Sequence, residues 1–283
     1  MLFRSSVDLA DFVPVSPVPQ EQMRAELAGV VASLANPYLK ALMESFCGDA
    51  VFMAAYCKAP AAKGMHHVYL GGLLEHSLSV VRLVDAVVPL YPDLNRDLLV
   101  VGALLHDLGK VAELSYERAF EYTDEGRLIG HISIGVEMLT ERIATIPGFP
   151  RELAMLLKHM LLSHHGQYEY GSPKRPKTIE ATILHYLDDM DSKINGIRSH
   201  IAKETAQGNR WTSHHRLYNL YFFTGNGMDD EAEAELVALS EPPAEAVSEP
   251  APEPVPPVRQ ERQRFGNQPF EKLANLSLFG ESE

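Results

Sequence analysis

An all-α fold is predicted for most of this chain, followed by a disordered tail. From Glu21 to about Phe223 apolar residues return every three or four positions, the spacing of helices with one buried face, and alternating runs of strand type are few. Pro37, Pro60, Pro92, Pro150 and Gly171-Ser172-Pro173 cut that pattern into pieces of helical length. Beyond Asn226 the composition shifts abruptly to Glu, Ala and Pro.

Taken in order, residues 1–20 form an N-terminal segment, and helices are expected over 21–35, 38–47, 69–90, 94–107, 131–145, 151–164 and 177–206. The polar, turn-rich stretch 116–127 (YERAFEYTDEGR) reads as a small hairpin or irregular insertion between two helices. The helical unit is bounded at 21–226, leaving 227–283 as a tail. Within the tail, seven prolines between Pro242 and Pro257 leave too little apolar surface to order 229–262, an acidic linker. The last stretch regains Phe265, Phe270, Leu273, Leu276, Leu278 and Phe279. It is a candidate docking motif for a protein partner or for the chain's own body.

At 283 residues and 46% hydrophobic content the chain can bury a sizeable core. Neither a leader peptide nor a membrane span is expected from its short apolar runs. Two cysteines, Cys47 and Cys57, are too few for a disulfide framework or a cysteine zinc site, so a cytoplasmic setting is expected. The net charge of −13 speaks against nucleic acid as a partner, but it is unevenly spread. Nine acidic residues and no basic ones fall between Asp229 and Glu253, which leaves the preceding body close to neutral.

Twelve histidines are many for this length, and their placement is more informative than their number. His76, the pair His106-Asp107, His131, the pair His164-His165 and Asp188 all fall where predicted helices begin or end. Neighbouring ligands point about 100° apart on a helix, so both reach one cavity only near its end. Imidazole nitrogens with carboxylate oxygens, and no nearby thiolate, suit Mn, Fe, Co, Ni or Zn. An aspartate can give one oxygen to each of two ions, and Asp107 is assigned that role. Asp191 lies on the same helical face as Asp188 and is read as orienting a ligand, as is His185 one turn earlier. His66 and His67 read first as capping or loop residues. Lys174, Arg175 and Lys177 form the densest basic patch of the body, and with Tyr168 and Tyr170 nearby they are candidates for holding nucleic acid.

The words HHVYLGGLLEHSLS at 66–79, DLLVVGALLHDLGKVAELS at 97–115, YTDEGRLIGHISIG at 122–135, LLSHHGQYEYGSPKRP at 161–176 and ILHYLDDMDSKIN at 183–195 carry a family resemblance. In that order they resemble the HD superfamily of metal-dependent phosphohydrolases, and more closely the YhaM type of 3′-to-5′ exoribonuclease. The resemblance implies an HD-domain helical bundle that removes nucleotides from the 3′ end of single-stranded RNA or short oligonucleotides. It further implies two divalent ions, manganese first, with iron, cobalt, nickel, zinc or magnesium as alternatives. His76, His106, Asp107 and Asp188 would hold one ion, and Asp107, His131, His164 and His165 the other. Asp107 and Lys110 would be the catalytic pair, Lys110 facing the substrate phosphate. The family also carries an OB-type nucleic-acid-binding domain ahead of the HD domain. Residues 1–20 read as the last strand and connector of such a domain, which puts the grip on long RNA in question.

Two other functions fit the same residues: an HD hydrolase of nucleotides or cyclic dinucleotides, and a non-catalytic module that senses nucleotides and recruits partners through its tail. The apolar content also allows an interface between copies of the chain.

Overall fold

The computed structural model describes residues 14–63, 67–116, 120–205 and 208–225. The expectations for residues 1–13, His66 and the tail with its apolar motif lie outside them.

Ten helices form among the described residues: α1 Gln20–Ala32, α2 Pro37–Cys47, α3 Ala50–Tyr56, α4 Gly72–Val87, α5 Arg96–Leu105, α6 Lys110–Glu113, α7 Asp124–Leu128, α8 His131–Ala144, α9 Arg151–Ser163 and α10 Ile179–Thr205. The all-α expectation holds. Start signals are ordinary caps: Asn36, Asp49, Asn95 and Thr123 each accept backbone N–H groups of the first turn that follows.

α5 organises the body. Every residue from Leu98 to Leu105 is buried, so this helix is apolar all round and must be covered on all sides. α4, α10, α9 and α2 pack against it; α1 lies on α4, and α8 lies on α9 and α2. The Tyr56 hydroxyl, fully buried, donates to the Leu104 carbonyl at 2.6 Å and ties α3 to this centre. The Asp97 carboxylate accepts both Ala35 N–H and Asn36 N–H, fixing the α1–α2 turn on the first turn of α5.

Three short helices were not anticipated. α3, α6 and α7 have seven, four and five residues, too few to show a helical period. The expected hairpin exists but is displaced: β1 Leu114–Ser115 pairs antiparallel with β2 Glu121–Tyr122, and α7 takes up the rest of the stretch. The expected 69–90 helix starts at Gly72 and finishes as a 3-10 turn over Val88–Leu90. At the N-terminal side, Pro14 and Ser16 bond to the backbone of Leu70, just ahead of α4. After α10, residues 208–225 make a small antiparallel turn, with bridges Trp211–Phe223 and His215–Leu220, that returns to α10 where His200 contacts His215 and Ser213. No helix among the described residues is long and apolar enough to cross a membrane.

Candidate metal centre

α5 ends at Leu105, and the next two residues are His106 and Asp107, so the most buried helix delivers this pair into the interior at 1% and 2% exposure. The chain then turns through Gly109, whose missing side chain is a requirement. A Cβ there would stand 2.0 Å from the His131 carbonyl oxygen and 2.7 Å from the Gly135 amide nitrogen. Only glycine lets the segment after Asp107 lie directly on the first turn of α8, which brings His131 to Asp107.

The structure gathers all seven expected residues. His76 Nε2 lies 3.2 Å from His106 Nε2, 3.1 Å from Asp188 Oδ1 and 3.9 Å from Asp107 Oδ2. His106 Nε2 lies 3.3 Å from Asp107 Oδ2 and 3.6 Å from Asp188 Oδ1. On the other side of the same carboxylate, Asp107 Oδ1 is 3.5 Å from His131 Nε2 and 3.6 Å from His164 Nε2. His131, His164 and His165 themselves offer ring nitrogens within 4.8 Å of one another. Donors bound at about 2.1 Å to one ion stand roughly 3.0–3.5 Å apart, so most of these separations match a shared cation.

One expectation is corrected. His106, Asp107, His131, His164 and His165 do sit at helix ends, but His76 is five residues into α4 and Asp188 is mid-helix in α10. These two reach the site because α10 lies across α4 and turns Asp188 and Asp191, three residues apart, onto it. The two aspartates then take different nitrogens of one imidazole: Asp188 Oδ1 faces His76 Nε2, and Asp191 Oδ2 meets His76 Nδ1 at 2.7 Å.

Every histidine of the cluster is oriented in the same way. Nδ1 of His106, His164 and His165 lies 2.8–2.9 Å from the carbonyl oxygens of Ala103, Leu161 and Tyr170. A carbonyl only accepts, so Nδ1 carries the proton and Nε2 keeps its lone pair for the cavity. Carboxylates do the same for His131, through Glu113 Oε1 at 3.0 Å, and for His76, through Asp191.

The electrostatics call for a cation. Burial alone would raise the Asp107 pKa, but Lys110 and His106 hold it well below the usual carboxylate range; His106 and His76 do the same for Asp188. Burial would lower His76, yet Asp188 and Asp191 outweigh it and raise this imidazole to about 9, so positive charge is favoured at Nε2, which a metal ion would supply in place of a second proton. Burial and the neighbouring His164 and His131 push His165 down to about 3, and burial also lowers His164, so both are neutral donors. Asp107 Oδ1, His131 Nε2 and His164 Nε2 are buried without a hydrogen-bond partner. Buried polar atoms left this way are rare and need a reason. Three lone pairs converging on one point, with no donor between them, fit a metal ion.

Lys110, expected to face a phosphate, is buried with Nζ 2.5 Å from Asp107 Oδ2. His185 bonds through Nδ1 to the His164 carbonyl, and its ring lies where a Cβ on Gly166 would stand, so that glycine, at φ +77°, is needed for the turn after the pair. Lys174, Arg175 and Lys177 are exposed on the loop that follows. Sequence reasoning missed Glu113 and gave His67 too little. His67 is buried, and its Nε2 meets Asp191 at 3.0 Å, while Ser79 Oγ donates to the other Asp191 oxygen. His67 could have been suspected from its place just before the GGLLEH helix; nothing marked Glu113 out from other acids.

A helical bundle that collects five imidazoles and two carboxylates around a His-Asp pair belongs to the class of histidine–aspartate metal domains. Residues 73–193 match the family described as HD domain, and the chain carries such a domain. It is similar to proteins named 3′-5′ exoribonuclease YhaM. The Bacillus velezensis protein is 40% identical over 189 residues, covering 67% of this chain and 59% of its own length. The Bacillus subtilis protein is 39% identical over 192 residues, covering 68% and 60%. The Listeria welshimeri protein is 42% identical over 206 residues, covering 71% and 63%. The chain thus spans about 60% of the length of these relatives. Among solved structures, the HD domain of the L. monocytogenes phosphodiesterase PgpH overlaps 59% of this chain and 78% of its own, with a TM-score of 0.32 and 22% identity. That overlap is too loose to align the two sites.

Proposed function

We propose that the chain is a metal-dependent phosphodiesterase that removes nucleotides from the 3′ end of single-stranded RNA or short oligonucleotides. The observation that carries this is Asp107, whose two oxygens face two separate sets of oriented histidine nitrogens, with Asp107 Oδ1, His131 Nε2 and His164 Nε2 on one side lacking any hydrogen-bond partner among the described residues. Likeness to the YhaM exoribonucleases supports the choice of RNA and of the 3′ end. Residues 21–226 form the catalytic unit and 227–283 an appended tail. Both cysteines are unpaired, which suits a reducing cytoplasm.

His76, His106, Asp107 and Asp188 would hold one divalent ion, and Asp107, His131, His164 and His165 a second; manganese is the first choice. Ions held this way supply hydroxide from water near neutral pH and charge that offsets the phosphate. The chain's own residues do the rest. Nδ1 contacts to Ala103, Leu161, Tyr170, Glu113 and Asp191 keep the five rings aimed without reorganisation. Lys110 offsets the Asp107 charge in the interior, and a cation beside Oδ2 would free its Nζ to meet the phosphate. Lys174, Arg175 and Lys177, exposed just beyond the His164-His165 turn, hold the strand that leads to the site.

The test is incubation of the full chain with Mn and a 5′-labelled single-stranded 20-mer. The expected result is a ladder that shortens from the 3′ end. Bound metal with no shortening would overturn the proposal, and release of phosphate from mononucleotides alone would move it to the small-molecule hydrolases.

A further inference from the structure

The outer face of α9 carries a second feature that the metal centre does not use. Arg151, Ala154, Met155, Lys158, His159 and Leu162 fall at positions i, i+3, i+4, i+7, i+8 and i+11, along the side of the helix opposite the buried Leu157, Met160 and Leu161. With Lys174 and Lys177 they line a groove of about 540 Å³. Among the described residues four cations border it, and no acidic side chain does.

Among the described residues the cations of the body fall into two groups. Lys63, Arg82, Arg96, Lys110, Arg127, Arg142 and Lys193 each face a carboxylate. Among the described residues Arg151, Lys158, Lys174 and Lys177 make no ion pair, and neither do Arg24, Lys40, Lys58, Arg175, Arg198, Lys203 and Arg216; what sets the first four apart is that they line one groove. Burial and the Lys177 charge hold His159 below its usual pKa; its Nε2 accepts the Lys177 N–H at 2.9 Å, so its Nδ1 is a neutral donor in the groove. Met155, 61% exposed, gives the floor an apolar element between charged borders.

The helix that carries the groove ends at the metal centre. α9 runs from Arg151 to Ser163, about 18 Å at 1.5 Å per residue, and the next residues are His164 and His165. The loop beyond them folds back on the last turn: Lys174 N–H donates to the Leu162 carbonyl at 3.1 Å, and the buried Ser172 hydroxyl bonds the Leu162 and Lys174 carbonyls. Lys174 and Lys177 are thereby held at the end of the groove nearest the histidine pair.

We infer that this face of α9 is a track for the phosphodiester backbone of single-stranded RNA, holding nucleotides upstream of the 3′ end while that end lies at the metals. The inference rests on the exoribonuclease reading and extends it to a surface remote from the ligands. Unpaired cations along an apolar floor suit a charged, flexible strand and read no sequence.

The test uses the full chain in EDTA, where no turnover occurs, and a fluorescein-labelled single-stranded 20-mer followed by anisotropy at 50 and 200 mM salt. Arg151→Glu with Lys158→Glu should weaken binding at least tenfold at the lower salt and flatten the slope of log K against log salt by about one or more. Arg151→Ala with Lys158→Ala, a milder change on exposed or half-buried positions, should shift both in the same direction by less, with an unchanged melting curve. With Mn present, the reversed variant should lose at least tenfold of its preference for the 20-mer over a dinucleotide. Wild-type affinity and slope in both variants would overturn the track, as would failure of the wild type to bind the 20-mer. Tighter binding by the reversed variant would also overturn it, pointing to the acidic 229–253 segment as occupant. If the wild type with Mn shortens the 20-mer while the variants bind as it does, only the track fails. If the wild type with bound metal shortens nothing, the exoribonuclease reading fails with it.

Discussion

The donor set around His76 and the set around His131 share Asp107 but meet their surroundings differently. In the first, the imidazoles of His76 and His106 are completely enclosed, and each donor lies close to another polar atom of the set. In the second, His131 and His165 are partly open, and Asp107 Oδ1, His131 Nε2 and His164 Nε2 have no hydrogen-bond partner. On the proposed function the enclosed set would keep the ion it holds, and the more open one would exchange with solvent and substrate. A site that must both persist and turn over gains from this division.

The strongest way to break the comparison is to remove what the sets share. Asp107→Ala should abolish binding at both, so metal analysis should find less than one ion per chain, and 3′-end cleavage should fall by about 10³-fold, or roughly 4 kcal/mol of barrier. Next, Gly109→Ala forces a Cβ to 2.0 Å from the His131 carbonyl and should cost about 1–3 kcal/mol in denaturant unfolding, with activity lost together with the α6–α8 approach. The two sets should then separate by their orienting partners. Glu113→Gln should weaken only the exchangeable ion and Asp191→Asn only the retained one, each by about 10–100-fold in a calorimetric Mn titration. Equal effects of both variants on both binding steps would show that the sets do not differ. A chelator titration sharpens the same point: the first ion removed should leave the melting temperature nearly unchanged, and the second should lower it, since a ligand at 100 times its Kd stabilises by about 2.7 kcal/mol. The smallest effect is expected at the rim, where Lys174→Ala should raise KM for a 20-mer a few-fold and leave kcat as it was.

Much of the fold and of the candidate site is legible because both rest on contrasts within short windows. An unbroken apolar run from Leu98 to Leu105 announces a buried helix, and a polar pair at its end has to be explained. What stayed hidden depends on contacts far apart in sequence. Asp188 and Asp191 share a face and look interchangeable until α10 crosses α4 and each meets its own nitrogen of His76. Glu113 is an unremarked acid until the turn at Gly109 sets it beside His131. The basic face of α9 was half visible: Lys174, Arg175 and Lys177 cluster in sequence, but Arg151 and Lys158 join them only because the loop folds back on the helix.

Placing His106-Asp107 directly on the end of α5 also sets how the site fails. His106 N–H is bonded to Gly102 and Leu108 N–H to Leu105, so the pair continues the hydrogen-bonded path of a helix buried from Leu98 to its end. Opening there requires α2, α4, α9 and α10 to part, which is the global transition itself. Amide protons of residues 102–108 should exchange as slowly as the slowest in the chain, and on heating this carboxylate should keep its place until the whole body melts.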